Sequence, residues 1–368
     1  MVVTGYQTLE RRKLTAAISK VELSDAMVGA TKSIDQALTG QIAGVAVTTT
    51  SGAPGAPARI RIRGTASLNG TQDPLWVLDG IPLEGTDIPE INKDNDNDIV
   101  NMSQSSIAGL SPNDIESITI LKDAAATAIY GAEGANGVVL VTTKRGRVEK
   151  AKISFKTEHT ISSPTRLPEF VGSADYLSLY NEALRNDGEG PQFSDELIAH
   201  YRNNDDPDLY PNTNWIDELL RKNTFSHRYT LNVRGGTEKA KYFVSGAYYN
   251  ESGLFKNRPN GIYDTNIGID RFNLRSNIDM AVSSTTTVGV DLAMQYLINN
   301  YPGTGTSTIF RSMLITPPYA FPAVYSDGTV ATYAQERDAN MRNPYNLLMN
   351  SGYAKEYRTG IQLSLIHI

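Results

Sequence analysis

Apolar and polar residues alternate with period two through most of the second half of the chain, the pattern of strands with one apolar and one polar face. Between Thr287 and Tyr296, Val288, Val290, Leu292, Met294 and Tyr296 interleave with Gly289, Asp291, Ala293 and Gln295. Just before them, Phe272, Leu274, Ile278 and Met280 share one face while Asn273, Arg275, Asn277 and Asp279 share the other. Arg228 to Arg234 repeats the pattern with Tyr229, Leu231 and Val233, and Lys241 to Tyr249 with Tyr242, Val244 and Tyr248. Ile153 and Phe155 open a similar segment, and Ile361, Leu363 and Leu365 close the series. About six strands are predicted.

The links between them alternate in length. A turn at Gly235-Gly236-Thr237-Glu238 and the link Val282-Ser283-Ser284-Thr285 read as hairpins. The connections 162–225, 250–270 and 299–356 are long and rich in Asn, Asp, Gly, Pro and Tyr. Short links on one side and long ones on the other are the asymmetry of an outer-membrane barrel, with periplasmic turns below and extracellular loops above. A soluble antiparallel sandwich also alternates and uses hairpins, but the strongly polar second face and the uneven links favour the barrel. So few strands cannot bury every edge in lipid, so more are expected downstream. Met1 to Tyr6 has neither a charged nor an apolar leader region, which puts any export signal upstream. The chain therefore reads as a fragment. In the barrel reading Leu292 meets lipid and Asp291 the lumen, so an arginine should be costly at the first and tolerated at the second.

From Ser33 to Arg145 the pattern becomes a small mixed α/β unit. Ser33 to Leu38 reads as a capped helix ending near Gly40 or Gly44, Val45 to Thr50 as a strand, and Arg59 to Gly64 as an edge-like strand. Leu75 to Leu78 leads into an Asp79-Gly80 turn. Ser111-Pro112-Asn113-Asp114 starts a helix and Ser117 to Leu121 is a strand. Asp123 caps a helix over Ala124 to Tyr130 that Gly131 closes, and Gly137 opens the strand Val138 to Thr143.

Five stretches of this unit resemble, in order, the plug of TonB-dependent outer-membrane transporters: Ile60-Arg61-Ile62-Arg63-Gly64, Val77-Leu78-Asp79-Gly80-Ile81-Pro82, Ile115 to Lys122-Asp123, Ala128-Ile129-Tyr130-Gly131, and Asn136-Gly137 to Lys144. Lys122-Asp123 stands where siderophore receptors usually carry Arg-Gly-Pro, a departure that resembles the SusC/RagA branch of Bacteroidetes. Tyr210-Pro211-Asn212-Thr213-Asn214-Trp215 and Gly235-Gly236-Thr237-Glu238-Lys239 are similar to that branch too. The resemblance implies a TonB-box segment and linker over 1–13, a plug domain over 14–147 and the first part of a transmembrane β-barrel over 148–368, from a protein of 22 strands. It implies a TonB box at Val2-Val3-Thr4-Gly5-Tyr6, whose β-branched residues favour the extended backbone that strand addition needs. It further implies capture of that segment by TonB, powered through ExbB and ExbD, a SusD-like surface lipoprotein as partner, outer-membrane lipid around the wall, and an oligosaccharide or oligopeptide cargo. The competing reading is a secreted or surface β-rich module for glycan binding or adhesion, without transport.

Composition narrows the chemistry. Against 34 basic residues stand 40 acidic ones, a net charge of −6 that gives nucleic acid no electrostatic footing. Mean hydropathy is −0.31, and no run approaches the ~20 apolar residues of a helical membrane span. Cysteine is absent, which removes thiolate catalysis and Cys-ligated zinc. The histidines His159, His200, His227 and His367 are scattered, with no HExxH. Gly131, Gly134 and Gly137 space as turns and no Gly-Lys-Ser/Thr follows, so no phosphate cradle is expected. Asp94, Asp96 and Asp98 resemble half of a calcium loop but lack its glycine and distal glutamate, so a solvated plug loop is the favoured reading. No enzyme and no cofactor are called for. With 19 Tyr against 9 Phe the aromatics are tyrosine-heavy. Tyr242, Tyr248 and Tyr296 fall on the apolar faces and read as an interfacial girdle, while Tyr301, Tyr319, Tyr325, Tyr333 and Tyr345 lie in the last long connection, where they could touch a ligand.

Overall fold

In a computed structural model, which describes residues 2–4, 7–9, 18–22, 34–49, 52–56, 58–64, 73–83, 110–257, 261–331 and 342–367, the two patterns fold as two units in contact. The front half contributes β1 (Val2–Thr4), β2 (Gln7–Leu9), β3 (Ile18–Glu22), β4 (Val45–Thr49), β5 (Ala58–Ile62), β6 (Leu75–Leu78), β7 (Ile81–Leu83), β8 (Ile115–Leu121) and β9 (Val138–Thr143). Five of these form a mixed sheet in the order β3-β8-β9-β6-β7, with β6 parallel to β9. Ile118, Ile120 and Leu121 on β8 and Val138 to Val141 on β9 are all buried, as befits central strands covered on both faces. On one face, Ile34, Leu38 and Ile42 from the turn of helix Ile34–Ala37, with Ile60 and Ile62 from the β4–β5 hairpin, join Trp76, Ile118, Ile120 and Val141 in a single core.

Three local expectations change. Helix Ala124–Thr127 passes into 3-10 turns that run to Asn136, because Gly131 at φ +60° and ψ −142° redirects the chain without ending its winding. Ser111 to Asp114 makes only one 3-10 turn, since Ile115 returns to extended backbone to enter β8. The carboxylate of Asp123, expected to cap the helix, forms an ion pair with Arg63. Gly137 is glycine for space as well as conformation: at φ +92° a Cβ there would lie 2.7 Å from Ile62 Cδ1 and 3.2 Å from the Leu121 carbonyl.

The back half forms one antiparallel sheet of six strands in sequence order: β10 (Glu149–Ser162), β11 (Thr224–Gly236), β12 (Ala240–Ser252), β13 (Gly268–Ala281), β14 (Thr287–Pro302) and β15 (Tyr353–His367). The sheet does not close on itself. Gly235 and Gly236 belong to β11 and not to the turn, which is Thr237 to Lys239, with the Thr237 N–H donating to the Ala240 carbonyl at 2.7 Å. Side chains there would collide: a Cβ on Gly236 would sit 2.6 Å from the Ala240 oxygen, and one on Gly235 2.8 Å from the Tyr242 hydroxyl.

This sheet is inside-out relative to a soluble sandwich. Ile153, Phe155 and Leu363 are 74%, 66% and 68% exposed, whereas Arg275 and Asn277 are 3% and 1% exposed on the opposite face. Tyr229, Tyr248, Phe272 and Tyr296 are register partners across four strands of the outer face, with centroids 6.3, 4.8 and 6.2 Å apart. Tyr242 lies on the same face of β12, six residues from Tyr248 and thus roughly 20 Å along the strand. Aromatic residues at this separation fit the edges of an apolar band about 25 Å tall. Among the described residues, no helix is long and apolar enough to cross a membrane.

The long connections are more ordered than their composition suggests. They carry helices Ser173–Asn186, Asp195–Asn203, Trp215–Leu219, Thr306–Ile315 and Pro344–Met349. Trp215, Leu219, Phe255, Ile309, Met313, Phe321 and Leu348, from all three connections, share a core. The 210–215 stretch is its hub. Asn214 Oδ1 caps a helix by accepting from the Ile216 and Asp217 N–H groups, Asn212 Oδ1 accepts from the Ser173 N–H at 2.9 Å, and the Thr213 hydroxyl donates to the Phe321 carbonyl at 2.9 Å. Tyr319 packs against Tyr176, Phe193 and Tyr201, and Tyr301 and Tyr345 lean on the shared core, so these tyrosines are occupied by packing. Tyr333 lies outside the described residues.

Candidate functional site

Polar side chains on the buried face of a sheet need partners, because desolvating them alone costs several kcal/mol each. Among those side chains on β10 to β14 are Glu158, Thr230, Ser245, Arg275, Asn277, Asp279 and Asp291, and the front unit meets each of these seven. Asn113 donates to Thr230 Oγ1 at 3.1 Å and to Glu158 Oε2 at 3.4 Å. Asp114 accepts from the Ser245 hydroxyl at 2.5 Å. Asp79 and Arg275 pair at 3.6 Å. Asn277 Nδ2 donates to Thr143 Oγ1 at 2.9 Å and to the Lys144 carbonyl at 2.8 Å. Arg145, two residues beyond β9, reaches Asp279 at 3.0 Å and Asp291 at 2.6 Å. These contacts make a polar seam between the α/β unit and the inner wall.

Local structure aims the seam residues. Asp79 sits at φ +47° in the turn between β6 and β7, where its carboxylate also accepts from the Thr143 N–H at 2.9 Å and hydroxyl at 2.7 Å. Asn113 and Asp114 are offered by the 3-10 turn ahead of β8. Burial pushes the Asp114 carboxyl above its ordinary value, against the Ser245 hydrogen bond and the charges of Arg275 and Lys144. Burial likewise opposes the charge of Arg145, but its hydrogen bonds to Asp291 and the carboxylates of Asp291, Asp79 and Asp279 outweigh that and raise its pKa. Deeper in the interface Asp35 accepts from the Ala58 N–H at 3.2 Å; burial raises its pKa too, opposed in part by the wall residue Arg271.

Of the expected plug-motif residues, Asp79 meets the wall, at Arg275. The others brace the unit internally: Arg63 pairs with Asp123, Lys122 Nζ donates to the Ala43 carbonyl at 2.6 Å, and Asn136 Nδ2 donates to the Asp73 carbonyl at 3.4 Å. Arg61 stands opposite Ala46 in the β4–β5 hairpin, Gly64 and Gly80 take φ of +89° and +91°, and Tyr130 leans on the core of Val77, Leu121, Val138 and Leu140. Val2, Val3 and Thr4 form β1, paired antiparallel with β2; Gly5, Tyr6, Asp94, Asp96 and Asp98 lie outside the described residues. No group of three or more His, Cys, Asp or Glu side chains that could hold a metal occurs among the described residues. Sequence reasoning missed Asn113, Asp114, Thr143, Lys144 and Arg145 as wall contacts. The signal that could have found them is the run of inward polar residues on β13 and β14, which demand partners.

The TonB-dependent receptor plug domain model matches residues 10–138. TonB-dependent receptor P26 of Formosa agariphila is 36% identical over 81% of this chain and 26% of its own length. TonB-dependent receptor SusC of Bacteroides thetaiotaomicron is 30% identical over 70% of this chain and 23% of its own length. The RagAB peptide importer in its open-open state superposes with a TM-score of 0.67 at 25% identity, over 94% of this chain and 38% of that one. The chain belongs to the SusC/RagA-like TonB-dependent receptors. It spans about a quarter of the length of the curated relatives it matches. In this receptor the α/β unit is the plug, and the six strands are part of the barrel wall that surrounds it.

The raised Asp114 carboxyl gives plug docking a pH dependence. Between the ordinary aspartate value and the raised value of the docked state, the docked plug binds a proton that a released plug gives up. Docking is therefore favoured by acid and weakens as the pH rises through the docked-state value. Hydrogen exchange of β8 and β9 across that window should show protection falling with rising pH in the wild type and a flatter profile in Asp114→Asn, whose amide oxygen still accepts from Ser245.

Proposed function

We propose that the whole protein imports oligosaccharides or oligopeptides across the outer membrane of a Gram-negative bacterium of the Bacteroidetes, acting as a transporter and not as an enzyme. The reading divides the chain into a coupling segment over 1–13, a plug over 14–147 and the beginning of a 22-stranded barrel over 148–368. Cargo arrives on the loop side, under a SusD-like surface lipoprotein. TonB, energised through ExbB and ExbD, then captures Val2 to Tyr6 by strand addition and pulls, and the plug yields.

The observation that carries this reading is the plug's mode of attachment. It is held to the wall by hydrogen bonds and ion pairs at Asp79, Asn113, Asp114, Asn277 and Arg145, while among the described residues its own core cluster draws on the front unit and its apolar contact with the back half is Ala53 against the core of the long connections. Such contacts can be exchanged for water as the plug moves, whereas a shared apolar core could not be. An adhesion module would have no use for the apolar outer face with its aromatic row.

The test uses the full-length protein in its host. Val3→Pro removes a backbone amide that strand addition needs. Uptake of labelled oligosaccharide or oligopeptide should be lost while the amount of receptor in the outer membrane stays unchanged. Normal uptake would mean that this segment is not the coupling site.

A further inference from the structure

The scattered histidines hold one surprise. His159 on β10 and His227 on β11 are direct register partners, and their Nδ1 atoms lie 2.7 Å apart on the outer face of the wall. Two further contacts hold the His159 ring, and His227 packs against it. Thr157 Oγ1 lies 2.9 Å from His159 Nε2, the His159 and His227 rings meet edge to face with centroids 5.0 Å apart, and Tyr229 packs against His159 at 5.7 Å.

Their height on the wall matters. The pair sits on the outer-face row immediately beyond the aromatic row of Tyr229, Tyr248, Phe272 and Tyr296, on the side of the long connections. The same row holds Asn250 and Asp270, joined by a hydrogen bond of 2.8 Å, and Tyr248 donates to Asp270 at 2.6 Å. Phe225 and Ile161 flank the pair one row further out. The row is polar on β10 to β13 and lies three residues from the loop-side ends of β10 and β11 at Ser162 and Thr224, within reach of water and dissolved ions.

We propose that His159 and His227 form a two-imidazole chelate for a borderline transition-metal dication, of the class of Cu²⁺, Ni²⁺ or Zn²⁺, on the outer rim of the wall. Two imidazole nitrogens bound to one such ion at ~2.0–2.1 Å, at angles between square and tetrahedral, stand about 2.8 to 3.4 Å apart, close to the spacing already present. Without metal, two facing Nδ1 atoms can meet only by sharing one proton between them. The ion takes that proton's place, and both rings then ligate through Nδ1 with hydrogen on Nε2. Thr157 is set to accept the Nε2–H of His159, the outer partner that orients a ligating imidazole. Two imidazoles leave the remaining positions to water, which favours Cu²⁺ most by the usual affinity order and makes the site exchangeable. His200 does not belong to it: its Nδ1 is engaged by Asp205 at 2.6 Å in the first long connection.

The test is Cu²⁺ alone, titrated into the purified full-length receptor in detergent, with bound metal counted after dialysis and the nitrogen hyperfine pattern read by electron paramagnetic resonance. The wild type should hold one more Cu²⁺ per chain than either His159→Asn or His227→Asn, with a two-imidazole spectrum, while His200→Asn matches the wild type. Both variants lie on the outer surface, and heat-modifiable mobility on a gel confirms that they fold. Equal Cu²⁺ in wild type and variants, or a spectrum unchanged by either substitution, overturns the proposal. So does a loss shared by His200→Asn.

Discussion

Asp291→Arg is expected to leave the barrel wall intact and to loosen the plug. The alternation of β14 alone assigns Asp291 to a polar inner face, where a long polar side chain should be tolerated. The seam reverses that expectation, because Asp291 is only 8% exposed and accepts both guanidinium nitrogens of Arg145, at 3.1 and 2.6 Å. The substitution removes the pair and sets a second guanidinium against the first. Losing one partner of a buried pair costs ~3–5 kcal/mol, and the low end applies here because Arg145 keeps some solvent and its contact with Asp279. A loss of about 3 kcal/mol corresponds to roughly a hundredfold increase in the population of undocked plug. Hydrogen exchange of β8 and β9 in the full-length receptor should quicken by that order, and large solutes that the plugged pore excludes should enter. Arg145→Asp on the same chain should restore part of the protection, since it returns opposite charges to the two positions. Unchanged exchange in Asp291→Arg would mean that the seam does not hold the plug.

How much of this was legible beforehand depends on which physical signal each feature leaves. Period-two alternation is a local signal, so β13 and β14 could be read from Phe272, Leu274, Val290 and Leu292 alone, and the other four strands in the same way. The wall's orientation followed too, because the face opposite the apolar one carries Arg275, Asn277 and Asp279, which no soluble core accepts. The helices of the long connections were not read. Their stability comes from Trp215, Phe255, Ile309 and Phe321 meeting across connections far apart in sequence, and local composition there looks like turn. Gly235 and Gly236 misled for a related reason: glycine marks a turn and a close approach equally well, and only the Tyr242 ring beside it decides which. The plug motifs were recognised but their roles were not, since a string of residues does not show that Arg63 and Lys122 brace the unit while Asp79 reaches the wall. The seam and the His159–His227 pair are both products of register. A shift of β10 by one residue against β11 would send the His159 ring to the lumen and Glu158 to the lipid, while His227 stayed outside, and the pair would not form.

Leu292→Arg, in contrast, should damage the wall itself. Leu292 lies on the outer face midway between Val288 and Tyr296, in register with Ser276 on one neighbouring strand and Leu363 on the other. Leu363 is 68% exposed, so among the described residues nothing covers this part of the face, and lipid is the solvent it is built for. An arginine near the middle of such a band costs ~2–4 kcal/mol, a penalty that fades toward either edge, where the side chain can reach the interface. Depth therefore makes the prediction specific. Leu292→Arg should lower the denaturant midpoint for folding into lipid vesicles by an amount equivalent to that range, while Met280→Arg, at the short-turn end of the same face, should cost far less. Gln295→Arg supplies the comparison for the inner face. It projects from the same strand to the opposite side, outside the seam, where the added charge meets water and polar side chains, so its midpoint should stay close to that of the wild type. Equal losses at 292 and 295 would show that both faces of β14 meet the same medium. In that case the aromatic row from Tyr229 to Tyr296 would be ordinary cross-strand packing in a protein that never enters a membrane.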